Sequence, residues 1–243
     1  MPYLGEIAAL SAAAGWSVAS LMFAQLGTSL KLDPRALNLF KCVLALALLW
    51  LTMWVSEGIV LPSPDSSWAL FALATSGVIG LTLGDTSYFH ALLRLGPRRT
   101  LIFATLGTPT TALLAWVFLE EPLTLYMLLG IGVTIAGVIW VIFERQPAPI
   151  TRSVESEQEE KARVRREREG VGFALVAMLC QAIGNILTKY GSTSMSALQT
   201  STTRLCFGVI ALLVWALLAV SVRRHVAKIF VRPSTVATLT VAT

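Results

Sequence analysis

The stretch Gly5-Glu-Ile-Ala-Ala-Leu-Ser-Ala-Ala-Ala-Gly-Trp16-Ser is echoed by Gly170-Val-Gly-Phe-Ala-Leu-Val-Ala-Met-Leu-Cys-Gln181-Ala. A second pair of segments lies just downstream, Phe40-Lys41-Cys-Val-Leu-Ala-Leu-Ala-Leu-Leu-Trp50 against Thr203-Arg204-Leu-Cys-Phe-Gly-Val-Ile-Ala-Leu-Leu213. Each copy opens with a hydrophobic segment, passes a short polar loop, and enters a second hydrophobic segment with a cation near its start. Such internal repeats decide the architecture, because many membrane proteins build a binding site between two related halves.

Across the rest of the chain, windows of about 20 mostly apolar residues, enough to cross the hydrocarbon core, lie near residues 7–26, 36–55, 68–90, 100–119, 123–143, 171–190 and 204–222. The runs are continuous rather than alternating, which reads as helices and not as barrel strands. The first copy holds five windows and the second two. The expected fold is an all-α membrane protein of inverted five-helix repeats, the first complete and the second truncated, with about seven transmembrane helices. Residues 1–143 form the first repeat, 144–169 a charged linker, and 170–243 the truncated second repeat.

Composition agrees. Hydrophobic residues make up 55% of the chain and charged residues 14%, at a mean hydropathy of +0.71, whereas soluble domains carry roughly 25% charged residues. The net charge of +5 does not indicate nucleic acid, because the cations flank apolar windows. There they orient the chain and meet anionic headgroups of the lipid bilayer. Cys42, Cys180 and Cys206 all fall inside windows, so no disulfide framework is expected. No His/Cys spacing resembles a zinc site, and neither metal nor cofactor is expected. Met1 to Glu6 holds no Lys or Arg, so the first window does not read as a cleaved signal peptide.

The short loops are lopsided. Lys31 and Arg35 come after the first window, and Arg94, Arg98 and Arg99 after the third; the loops after the second and fourth carry only Glu57, Asp65, Glu120 and Glu121. The linker and Arg223-Arg224-His225 belong with the basic side, which the positive-inside rule places in the cytoplasm, with the N-terminus outside. Five windows is an odd number, so the second copy enters the membrane inverted. In the linker, Glu157–Lys161 and Glu159–Arg163 are i,i+4 pairs that favour a solvated helix.

Residues 85–143 carry a family resemblance. Asp85-Thr-Ser-Tyr88-Phe-His-Ala-Leu leads through a basic turn into Leu106-Gly-Thr-Pro109-Thr-Thr-Ala-Leu-Leu-Ala-Trp116, then Phe118-Leu-Glu120-Glu121-Pro122-Leu-Thr124 and Leu129-Gly130-Ile-Gly-Val-Thr-Ile-Ala-Gly137-Val. In this order, with the repeat and linker, the chain resembles the EamA-type module of the drug/metabolite transporter superfamily. The match includes a mid-helix proline, an acidic turn and two glycines seven apart. The resemblance implies a multi-pass protein of the cell membrane, ten spans in two inverted modules, exporting amino acids, metabolites or drugs. Members are commonly drawn with a cytoplasmic N-terminus. Here Arg232-Pro-Ser-Thr-Val-Ala-Thr-Leu-Thr-Val-Ala-Thr243 parallels Leu61-Pro-Ser-Pro-Asp-Ser-Ser-Trp-Ala-Leu. The chain is therefore expected to stop where an eighth span would begin, as a truncated product or a partial sequence.

Polar groups inside spans are costly and so are functional candidates. Asp85 comes after Gly77, Gly80 and Gly84, whose spacings of three and four form a small face for close helix approach. Asp85 either binds a substrate amine or cycles a proton, or it pairs with a cation such as Lys41 or caps a broken helix. Tyr88 lies one turn on. Lys41 and Arg204, at matching positions, either face a central cavity or snorkel to the interface. Trp16 and Ser20 in the first copy match Gln181 and Asn185 in the second, each pair on one helical face; they line a cavity or glue helices together. Pro109 bends its helix and is a hinge candidate. Gly130 and Gly137 read as packing contacts, and His90 and Lys189 as interfacial.

These features together read as a secondary transporter of small molecules. An intramembrane enzyme would need a partner for Asp85 in a catalytic pair, and a retinal-type receptor a lysine where Arg204 stands. Both fall behind, and the chain is not expected to be an enzyme. The alternative is a half-transporter, inactive alone or dependent on a second copy or a partner half.

Overall fold

The computed structural model describes residues 3–64, 66–143, 157–192 and 195–219. The start of the linker, the end of the last apolar window, the basic tail and the Arg232–Thr243 parallel lie outside the described residues.

Local chemistry sets the helix boundaries. Helix α1 (Leu4–Ser29) is succeeded by α2 (Pro34–Glu57), where Asp33 accepts a hydrogen bond from the Arg35 amide at 2.9 Å and Pro34 occupies the first turn. It ends at Gly58, whose φ of +68° is the left-handed cap that glycine adopts without strain. Ser66 caps α3 (Ser67–Ser76) at the Ala69 amide. A π-helical stretch, Gly77–Gly84, runs on into α4 (Asp85–Leu95), so the third span is continuous from Ser67 to Leu95. Wide turns of this kind leave carbonyls unpaired and recur at functional sites. Here Asn38 of α2 donates to the Leu81 carbonyl at 2.9 Å.

The fourth span divides into α5 (Pro97–Thr105) and α6 (Gly107–Leu119). Pro109 lacks the N–H that would bond to Thr105 four residues back, and the helix breaks at Leu106, between the two. Beyond it are α7 (Leu125–Phe143), α8 (Glu157–Gly191) and α9 (Ala197–Leu218), the last capped by Ser196. Among the described residues six helical segments are long and apolar enough to cross a membrane, and α7 adds a shorter apolar run, Leu125–Trp140. The protein is a multi-pass all-α membrane protein. Helix α8 passes without a break from the charged linker into its apolar part, with Lys161 and Glu157 paired at 2.6 Å in the linker portion.

The third span is the spine. It packs against α8 and α9, while α2 packs against α9 and α4. Gly77, Gly80 and Gly84 make this possible. A Cβ at Gly77 would lie 2.1 Å from the Arg204 carbonyl oxygen, and one at Gly84 3.1 Å from Cβ of Cys180. Ser76 donates to the Gly184 carbonyl at 2.7 Å and Thr82 to the Gly208 carbonyl at 3.0 Å, fastening the same faces. Gly130 and Gly137 differ: among the described residues nothing lies within 4 Å of a Cβ built at either, because this face of α7 has no described neighbour. Helix α1 is buried only from Ala19 onward, where Phe23 meets Phe89 edge to face. From Gly5 to Val18 it is exposed.

Candidate functional site

Asp85 is the first residue after the π-helical stretch, and α2 brings Lys41 against it as a buried ion pair. A charge at this depth needs a partner, and each answers the other. Above the pair sit aromatic rings: the Lys41 ammonium lies 5.5 Å from the Trp16 ring centroid and 5.8 Å from that of Phe89. Tyr88, one turn along α4, shares a 2.8 Å hydrogen bond with Ser20 and stands 5.4 Å from Trp16, centroid to centroid. Trp16, Ser20, Lys41, Asp85 and Tyr88 are thus one contiguous group drawn from three helices.

Arg204 and Gln181 reach the same region from α9 and α8. Both surround Gly80: a Cβ there would lie 3.1 Å from Oε1 of Gln181 and 3.4 Å from Nη2 of Arg204. Asn185 does not join them. It is exposed, because the face of α8 that meets the third span centres on Gly184, whose built Cβ lies 3.1 Å from the Gly80 Cα.

Two cavities flank this cluster. The larger, about 520 Å³, is lined by Lys41, Arg204, Ser201 and Trp16 with an apolar wall that includes Leu49 and Leu205. The smaller, about 270 Å³, is lined by Asp85, Tyr88, Gln181, Thr100 and again Trp16. Trp16 is the shared wall. The larger chamber carries cations and no carboxylate in its lining; the smaller carries a carboxylate and no cation. Pro109 is buried and lines neither chamber, but Gly107, at the break in the fourth span, lines the smaller one.

Sequence pattern alone does not single out Asn38. It is fully buried, donates to Leu81 and to the Thr86 hydroxyl at 3.0 Å, and accepts from the Cys42 thiol at 3.3 Å. An amide three residues before Lys41 in an apolar window is the signal that could have found it. His90 turns from the chambers: its ring stacks on Phe173 at 4.6 Å and meets Arg94 at 2.9 Å. Lys189 pairs with Glu121 at an exposed helix end. Among the described residues no three His, Cys, Asp or Glu side chains gather as a metal site.

The family model for the EamA-like transporter family matches residues 3–143. No curated protein matches the chain.

Proposed function

The chain belongs to the EamA-like transporter family, and from that premise we propose that it is a secondary transporter exporting amino acids or related small metabolites by alternating access. The observation that carries this reading is the pair of chambers, one lined by Lys41 and Arg204 and the other by Asp85, that meet at Trp16 around the Lys41–Asp85 ion pair. A solute with both charges fits such a junction, since each end finds its complement without leaving a buried charge bare. Trp16 and Tyr88 supply a wall against which an apolar group packs. Asp85 is the deep carboxylate of the cluster and so the group through which a proton would be exchanged for the solute. The bend near Pro109 supplies the hinge on which the fourth span moves beside the smaller chamber.

The test is efflux of amino acids from vesicles containing wild type, Asp85→Asn or Arg204→Ala. Loss of transport in both variants is expected; unchanged rates in both would sink the assigned site.

A second reading, transport only as an oligomer or with a partner half, is favoured by one observation. Helix α8 buries a face on the third span, but the matching first part of α1, Gly5–Val18, is exposed. Transport that rises with the square of protein density in vesicles supports this reading, and strictly linear dependence opposes it.

A further inference from the structure

The fourth span lies along α8 and is tied to it at both ends, by very different means. At the end near the charged linker, α5 and the last turn of α4 are firmly held. Ala91, Phe103 and Ala174 form a buried apolar cluster there. A Cβ on Gly170 would lie 2.7 Å from Leu95, so α8 runs tight against the end of α4. Arg166 donates to the Leu93 carbonyl at 2.8 Å, and Arg94 and Arg99 reach Glu169 and Glu167 at 3.5 and 3.7 Å.

At the far end α6 is held lightly. Pro109 is its one buried residue, and Leu113, Trp116, Val117 and Phe118 are exposed. The tip is tied by polar contacts: the Tyr190 hydroxyl donates to the Phe118 carbonyl at 2.5 Å, and Lys189 pairs with Glu121. Both charges of that pair are about half exposed, and exposed ion pairs are weak. The turn that presents Glu121 is strained, since Glu120 takes a left-handed backbone, φ +54°, without being glycine. Strained positions of this kind gather at clamps and switch regions.

The smaller chamber lies between the two ends. Thr100, Ala104 and Gly107 of the fourth span line it on one side, and Ala177, Met178 and Gln181 of α8 on the other. Along α8, Lys189 stands roughly 12 Å beyond Gln181, and Glu167 roughly 10 Å before Ala174. The fourth span breaks beside the chamber at Leu106, whose amide bonds to the Phe103 carbonyl at 3.1 Å. Pro109 has no N–H to offer Thr105, and a gap in the helical ladder is where a helix bends.

We propose that α6 is a gate over the smaller chamber, swinging about Leu106 while α5 stays fixed. Its latch is the Glu121–Lys189 pair together with the Tyr190–Phe118 hydrogen bond. The proposal rests on the transport reading above and adds which half of the fourth span moves and what restrains it. A gate has to open thermally, and the segments that open are drawn from the least stably held parts of a protein. The apolar cluster under α5 makes the other half a fixed post.

The experiment is thiol labelling beneath α6 in liposomes containing the full chain. Met178 lines the chamber and meets the Thr110 hydroxyl of α6 at 3.5 Å. Met178→Cys, in a chain carrying Cys42→Ala, Cys180→Ala and Cys206→Ala, is treated with a charged, membrane-impermeant methanethiosulfonate from each side in turn. A separate Lys161→Cys variant, exposed on the charged part of α8, marks the linker side. Adding Lys189→Gln and Tyr190→Phe should speed labelling from the side opposite the linker about fivefold, the scale of weak exposed ties. It should not speed labelling from the linker side. Glu121→Lys alone should also speed it, and Glu121→Lys with Lys189→Glu should return the rate to that of the latched chain. Unchanged labelling in the unlatched chain overturns the proposal, as does an equal rise from both sides. Hydrogen exchange in unaltered wild type decides the matter if the cysteine variants do not fold. Gly107–Leu119 should exchange faster than Pro97–Thr105, and equal protection overturns the gate. Neither readout needs a solute, so absent amino-acid efflux sinks the transport reading by its own test while these rates still decide the gate.

Discussion

Lys41 and Arg204 stand at the same place in two segments of sequence that echo one another, yet their charges meet different surroundings. Lys41 closes on Asp85 and lies under two aromatic rings. Arg204 lines the neighbouring chamber with its Nε unpaired, while its backbone carbonyl presses against Gly77 of the third span. The difference arises from where the deep carboxylate sits: Asp85 belongs to the third span, directly across from α2. The residue types fit the division. An ammonium is a compact, strongly hydrated charge that needs a counter-ion when buried, whereas a guanidinium is more weakly hydrated and keeps several donors free. Two cations at the same place in echoing segments thus differ in what they touch: Lys41 an ion-pair partner, Arg204 a chamber.

The largest effect should come from breaking the answered charge. Asp85→Asn leaves Lys41 buried without a counter-charge, and removing one partner of a buried pair costs about 3–5 kcal/mol. The melting temperature of the purified protein in detergent should fall sharply. Replacing both partners together, Lys41→Met with Asp85→Leu, should recover most of the loss, since apolar groups of similar volume often match a buried pair in stability. A double variant that melts as low as Asp85→Asn would show that the pair is not what holds α2 to the third span.

Next in size is a change at the contact that places Arg204. Gly77→Ala puts a Cβ 2.1 Å from the Arg204 carbonyl oxygen, so α9 must move away from the third span. Overpacking against a backbone that cannot rotate aside costs about 1–3 kcal/mol. Gly130→Ala is the matched control: its Cβ meets nothing within 4 Å, and removing a helical glycine should stabilise by up to about 1 kcal/mol. Equal melting shifts of the same sign in the two variants would contradict the close approach at Gly77.

These two glycine sites also mark what was legible in the sequence. Spacing alone placed Gly77, Gly80 and Gly84 on a common face, and the structure packs that face on α8 and α9. Gly130 and Gly137 carry an equally good pattern, but periodicity says which residues share a face, not whether another helix covers it. Asn185 is a parallel case. It lies i+4 from Gln181, but α8 is rotated so that Gly184 meets the third span, and Asn185 faces outward. The caps at Asp33, Ser66 and Ser196 are local signals, though none was singled out from the sequence; the spans were readable because apolar runs act equally locally. The π-helical stretch and the support from Asn38 were not, because they depend on how α2 sits against the third span.

The smallest expected effect on stability is the sharpest test of the comparison. Arg204→Gln removes a charge whose Nε has no partner, so no favourable hydrogen bond at that atom is lost, and the desolvation of a cation is relieved. The two contributions oppose the lost packing of the arginine stem, and the net change should stay within about 1 kcal/mol. Lys41→Gln, the equivalent change in the first copy, strands Asp85 and should cost as much as Asp85→Asn, about 3–5 kcal/mol. The two melting curves, recorded side by side, therefore separate a charge held for structure from one held for a solute. If Arg204→Gln melts as low as Lys41→Gln, Arg204 has a structural counter-charge and is not free to bind. If it melts near wild type while transport is lost, the burial of Arg204 serves the solute rather than the fold.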